Sequence, residues 1–214
     1  MGVLQKLFGK YLLLTNTVSC GLMMGFGDVL QQRNEHWKQF NREKILSSES
    51  GRPSKSVPEV LINNENPIPF SSGKEYNEDY KHDYIRTKNM IIVGVLQGPF
   101  HHYFYLTLDR ILPAKNSVTI VKKTLIDQLV ASPVCLAIFF YGLGILEHRK
   151  MKDINEEVKL KLMDTWKVDW CYWPPIQFIN FLLIPIQYRV IYINLMTMIY
   201  DMFLSYMKYD AQYD

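Results

Sequence analysis

Cysteine is scarce in this sequence, and the three present, Cys20, Cys135 and Cys171, lie in separate apolar stretches without metal-ligand spacing. An odd, scattered set of thiols excludes a disulfide framework and a zinc site, which need cysteines at short, regular separations. Strong charge of either sign is also missing, since the formal net charge is only +3. A protein that tracks phosphates clusters lysine and arginine on one face, so a direct, sequence-specific nucleic-acid partner is not expected. No Gly-rich phosphate loop, nucleophile elbow or pair of catalytic carboxylates occurs. The sequence therefore predicts no enzyme, no metal and no other cofactor. Gly2 is followed at position six by Lys6, where a myristoylation signal needs serine or threonine. The first dozen residues, MGVLQKLFGKYL, lack acid and arginine but place Leu4, Leu7, Phe8 and Tyr11 at helical spacing. They read as an uncleaved entry signal that suits mitochondrial delivery in part.

The most informative absence is that of Asp, Glu, Lys and Arg from four stretches: Tyr11 to Gly27, Asn89 to Leu108, Gln128 to Leu146 and Trp170 to Tyr188. Each approaches the roughly 20 residues with which an α-helix crosses a hydrocarbon core. The expected fold is an all-α, multi-pass transmembrane helix bundle of four spans. After Arg189 the stretch VIYINLMTMIY reaches Asp201 and continues as MFLSYM to Met207. It reads either as a fifth span or as an interfacial segment, where Tyr192, Tyr200, Tyr206 and Tyr209 suit the headgroup level.

The polar residues are concentrated between the first two runs, where Asn, Glu, Lys and Ser abound and Pro53, Pro58, Pro67 and Pro69 interrupt. Such a segment buries too little apolar surface to offset the entropy of ordering. Residues 33–86 are thus expected to form a polar, disordered loop inside a single helical membrane domain, 1–214. This loop pulls the mean hydropathy down to -0.08. The connection HRKMKDINEEVKLKLMDTWK sets Met151, Ile154, Val158, Leu162 and Trp166 at steps of three and four. It predicts an amphipathic helix on the membrane surface leading into the last span.

Several polar and small residues inside the runs call for neighbours. Gly21 with Gly25, and Gly94 with Gly98, repeat the small-xxx-small spacing that lets helices approach closely in lipid. His101 and His102 point about 100° apart on a helix and cannot chelate one ion together, so hydrogen-bonded histidines near the interface are expected rather than ligands. Lys123 and Asp127 stand at i,i+4 and can pair on one face, as an interfacial ion pair or as the charged lining of a cavity. Trp166, Trp170, Trp173, Gln177, Asn180 and Ile184 trace one seam, with Pro174 and Pro175 in the first turn of the apolar part and Pro185 ending it. Facing another helix, Gln177 and Asn180 can hydrogen-bond across the interface; lining a cavity is the alternative.

The pattern Trp170, Trp173, Pro174, Gln177, Asn180, Phe181, Pro185 and Arg189 resembles the signature of the Mpv17 / PMP22 family of membrane proteins. Gly27, Asp28 and Gln32, then Gly98, Pro99, His102, Tyr105 and Leu108, then Lys123, Asp127, Gln128 and Pro133 extend the resemblance over nearly all the chain except the polar loop. LDR at Leu108 to Arg110, DQLVASP at Asp127 to Pro133, YIN at Tyr192 to Asn194 and LSYMKY at Leu204 to Tyr209 look most like the Mpv17-like protein two branch. The resemblance implies a multi-pass protein of the inner mitochondrial membrane that supports assembly of the mitochondrial ribosome and hence mitochondrial translation. Its implied partners are the lipid bilayer and a mitochondrial ribosomal subunit or assembly factors, and a homo-oligomer is left open. Other members are described as non-selective channels, and some are peroxisomal. A channel would draw on Asp28, His102, Lys123, Asp127 and Gln128, with Gln177 and Asn180, as its polar lining. Phe104 and Tyr200 stand where the family often has tryptophan, and the long loop is an addition without an inherited role.

Overall fold

A computed structural model describes residues 11–50, 81–113, 116–184 and 189–211. The entry segment 1–10, the central part of the expected loop and Pro185 lie outside these residues. Among the described residues there are six α-helices, one π-helical turn and no strand. They are α1 (Leu12–Ser50), α2 (Tyr84–Ile111), α3 (Ser117–Ile126), the π turn Asp127–Ala131, α4 (Ser132–Leu146), α5 (Met151–Leu182) and α6 (Arg189–Tyr209). Two units separate: Met1–Gln32 with Asp83–Asp214, and Arg33–His82.

Helix α1 corrects the expectation of a loop beginning at residue 33. No glycine or proline stands between Arg33 and Ser50, and the first breakers are Gly51 and Pro53. Nothing local therefore stops the helix before Ser50. At the other end, Asp83 caps α2, its carboxylate accepting from the N–H groups of Ile85 and Arg86 at 3.0 Å each. Such a cap satisfies donors that the first turn leaves open. Arg86, placed by sequence reading in the loop, is thus in the first turn of α2.

Glycine faces hold α1 and α2 together. A Cβ on Gly94 would meet the Cys20 carbonyl oxygen at 2.7 Å and the Gly21 Cα at 2.8 Å, and one on Gly98 would meet the Thr17 Cα at 2.4 Å. In return, Gly21 and Gly25 receive Ile91 and Val95. Close backbone approach is what small residues permit where lipid offers no hydrophobic force between helices.

Between α4 and α5 the chain turns at His148, whose φ of 55° is left-handed. The His148 N–H donates to Ile145 and the Arg149 N–H to Gly144, both at 3.0 Å, closing the last carbonyls of α4. The reversal lays α5 along α4, where Ile154 fills the space beside Gly144. The expected surface helix and the last span are one continuous rod, so Pro174 and Pro175 sit inside α5 rather than in a first turn. Its buried residues are Ile154, Glu157, Thr165, Asp169, Ile176 and Asn180. These lie on one stripe that runs unbroken past the prolines. The stripe is centred on Asp169, one residue off the seam expected through Trp170. Met90, Val93, Leu136, Phe139, Phe140, Leu143, Tyr200 and Leu204 form the core with Met24.

Leu12–Arg42 and Val118–Leu146 are long and apolar enough to cross a membrane. The four-span count is not confirmed: α2, which carries Gln97, His101 and His102, falls short of that measure, and the last expected span runs on into residues 185–188, outside the described residues. The stretch after Arg189 is a helix whose Tyr200 is buried in the core, not set at an interface.

Candidate functional site: a cavity between the helices

Two buried charge clusters tie the helices together. Asp28, on α1 and fully buried, has both carboxylate oxygens saturated. Its Oδ1 accepts from Arg86 Nε and Ser205 Oγ at 2.7 Å each, and its Oδ2 accepts from Thr87 Oγ1 at 2.6 Å and Gln32 Nε2 at 2.8 Å. Arg86 Nη2 also donates to Ser205 Oγ at 2.7 Å, and the guanidinium lies 4.0 Å from the centre of the Tyr209 ring. One carboxylate thereby joins α1, α2 and α6. Asp28 was expected as a cavity lining; it is instead an internal tie. The second cluster centres on Glu157, which accepts from Lys208 Nζ at 2.9 Å and from Arg149. Lys161 caps the end of α6, donating to the carbonyls of Met207 and Lys208 at 2.7 and 2.9 Å. Burial alone would raise the Glu157 carboxyl, but Lys208 and Arg149 outweigh it and hold it below the usual glutamate range.

Beyond these ties, α1, α2, the π turn and helices α4, α5 and α6 line a half-open cavity of about 470 Å³. Its lining includes Asp127, Gln128, Asp169, Trp173, Tyr200 and Asp201, and its apolar parts include Met24, Leu136 and Leu204. The π turn sits just before Pro133, which has no N–H to give and crowds the preceding turn. This widened turn presents Asp127 and Gln128 to the interior. Asp127 accepts a hydrogen bond from the Tyr105 hydroxyl at 2.7 Å. The expected pairing of Lys123 with Asp127 is not made: α2 offers each its own partner, and Lys123 binds Asp109 at 2.5 Å. Lys123 is therefore absent from the lining.

The neighbouring histidines diverge. His101 Nε2 lies 3.3 Å from Cys135 Sγ on α4, and His102 Nδ1 lies 3.3 Å from the Asn16 amide on α1. Both rings reach the cavity wall, as does Gln177. Asn180 does not, and its Oδ1, buried, accepts no hydrogen bond. The expected interhelical bond through that oxygen is thus missing. Trp170 packs edge-on to Trp166, whose Nε1 donates to the Gln128 carbonyl at 3.0 Å. Trp173 and Tyr172 cluster with Tyr200 of α6, their ring centres 5.5 and 5.3 Å from it. The backbones of Phe181 and Arg189 lie in α5 and α6. Among the described residues, no group of three or more His, Cys, Asp or Glu side chains is arranged to hold a metal ion.

Sequence reading overlooked Asp169 and Asp201. Each stands beside an apolar stretch, yet Asp169 lies four residues before Trp173 on the same helical face. Tyr105, Gln97 and Tyr200 were likewise given no role in a lining.

A family model described as Mpv17 / PMP22 matches residues 144–205, a stretch that includes Asp169, Trp173, Tyr200 and Asp201. The chain is 31% identical to PXMP2/4 family protein 2 of Dictyostelium discoideum over 98% of its own length and 95% of that relative. It belongs to the Mpv17 / PMP22 family. Protein SYM1 of Candida glabrata is 30% identical over 90% of this chain and 82% of its own. Peroxisomal membrane protein 2 of Bos taurus is 32% identical over 50% of this chain and 55% of its own. No solved structure matches this member of the Mpv17 / PMP22 family.

Proposed function

We propose that this family member is an integral protein of the mitochondrial inner membrane that supports assembly of the mitochondrial ribosome, acting as a scaffold and not as an enzyme. The observation that carries the membrane part is the reciprocal glycine contact of α1 with α2, joined to two helices of spanning length and hydropathy. Similarity to SYM1 along most of the chain supports the mitochondrial address. The relative named for the peroxisomal membrane makes that membrane the competing address. The assembly role rests on the branch-like stretches at Leu108 to Arg110, Asp127 to Pro133, Tyr192 to Asn194 and Leu204 to Tyr209.

Sucrose-gradient sedimentation of detergent-solubilised mitochondria, with and without this protein, tests the assembly role. The expected outcome is co-sedimentation with a ribosomal subunit and loss of monosomes on depletion. If the protein stays at the top and the ribosome profile is unchanged, the assembly reading fails.

A further inference from the structure

Two buried carboxylates outside the cavity each have a cation against them. Asp28 has Arg86, while Glu157 has Lys208, Arg149 and Lys161. The cavity departs from this pattern at three of its four lining aspartates; the fourth, exposed Asp109, is paired with Lys123. Asp169 and Asp201 are buried and Asp127 is half-buried, yet none has a lysine or arginine partner among the described residues. The lining holds no lysine or arginine at all, and its histidines are turned to Cys135 and Asn16. A carboxylate inside a helix bundle is costly unless something neutralises it.

A second, independent feature points the same way. Gln128 is 1% exposed and lines the cavity, but neither its amide oxygen nor its amide nitrogen makes a hydrogen bond. Asp169, also on the lining, is held by protein donors: it accepts from the Ser132 hydroxyl, and the Tyr200 hydroxyl and Trp173 stand within reach of it. Buried polar atoms are almost always satisfied, so the unsatisfied Gln128 amide on the wall of this space marks the place of a missing polar ligand.

The arrangement also narrows the kind of cation. The three carboxylates without a cation stand on the π turn, α5 and α6, and no convergent metal-holding group occurs among the described residues. Apolar walls from Met24, Leu136 and Leu204 share the same space. Dispersed acceptors with hydrocarbon among them fit a ligand whose positive charges are likewise separated by hydrocarbon. We propose that the cavity is a binding site for an elongated organic ammonium ion of the linear di- or polyamine class. Its ammonium groups donate to Asp127, Asp169 and Asp201, the Gln128 amide oxygen accepts from it, and its methylenes lie on the apolar wall. The volume of about 470 Å³ lies within the range of roughly 300–1,000 Å³ typical of small-ligand sites.

The test is isothermal titration of the purified full chain, in detergent micelles at low ionic strength, with putrescine. Saturable binding is expected, with none for 1,4-butanediol, a neutral compound of the same chain length, and no displacement by magnesium at matched ionic strength. Asp169→Asn and Asp201→Asn should each weaken binding by about tenfold or more, the size of a lost charge-assisted hydrogen bond. Asp164→Asn, which removes an exposed partner of Lys167, should bind as the unmodified chain does. Thermal unfolding of each variant is followed in parallel, and Asp127→Asn, at a half-buried position, replaces any variant that does not fold. The proposal is overturned by absence of saturable binding to the folded chain, by equal binding of butanediol, by displacement with magnesium, or by unchanged affinity in the folded variants. None of these outcomes alters the ribosome gradient, so the assembly reading stands or falls separately.

Discussion

Replacing Arg86 with methionine is expected to destabilise the bundle by about 3–5 kcal/mol, the cost of stranding a buried charge without its partner. The stranded group is Asp28, which is 0% exposed and would keep only neutral donors from Ser205, Thr87 and Gln32. Whole domains are stable by about 5–15 kcal/mol, so this loss is a large fraction of the total. The double variant Asp28→Asn with Arg86→Met removes both charges and should recover part of the loss. Intrinsic fluorescence during thermal unfolding of the purified proteins reads the cycle. A double variant no more stable than Arg86→Met alone would show that packing around Tyr209, rather than charge, fixes the arginine's importance.

The second large effect is expected at Gly98. Its added methyl group would lie 2.4 Å from the Thr17 Cα, a backbone atom that moves only if α1 and α2 separate. Gly98→Ala should therefore cost about 1–3 kcal/mol, and Gly94→Ala together with it more, because overfilled contacts force backbone shifts. Gly142 supplies the control. A Cβ there meets the Val93 Cγ2 at 3.1 Å, a side-chain atom that can yield by a few tenths of an ångström. If Gly142→Ala proves as damaging as Gly98→Ala in the same unfolding measurement, close backbone approach is not what holds these two helices.

The glycine contact was legible in the sequence because a four-residue repeat reports a helix face directly. Helical runs were legible for the same reason: the absence of charge marks a stretch whatever it packs against. The partners of Asp28 were not, since Arg86 and Ser205 lie 58 and 177 residues away along the chain and only folding brings them together. Arg86 also appeared to belong to the polar segment before α2, where composition hides a capped first turn. The i,i+4 spacing of Lys123 and Asp127 predicts a local pair, but Asp109 and Tyr105 on α2 compete for them and win. Local spacing states which contacts a helix permits; the neighbouring helix decides which are made.

The cavity was half-visible for a related reason. Asp127, Gln128 and Gln177 stood out as polar residues within apolar runs, and all three reach its wall. Asp169 and Asp201 were read as ends of runs, because a charge next to an apolar stretch ordinarily marks the membrane surface. In α5, however, the helix begins well before the apolar run and carries Asp169 inward on the same stripe as Thr165 and Ile176. The π turn adds a further displacement that no periodicity of 3.6 residues foresees.

Alkaline carbonate extraction of purified mitoplasts and of purified peroxisomes, with the protein followed by immunoblot, tests the integral inner-membrane assignment most directly. The expected result is recovery in the membrane pellet of the mitoplasts, alongside an integral inner-membrane marker. Release into the supernatant, or recovery with the peroxisomal membranes alone, would contradict it.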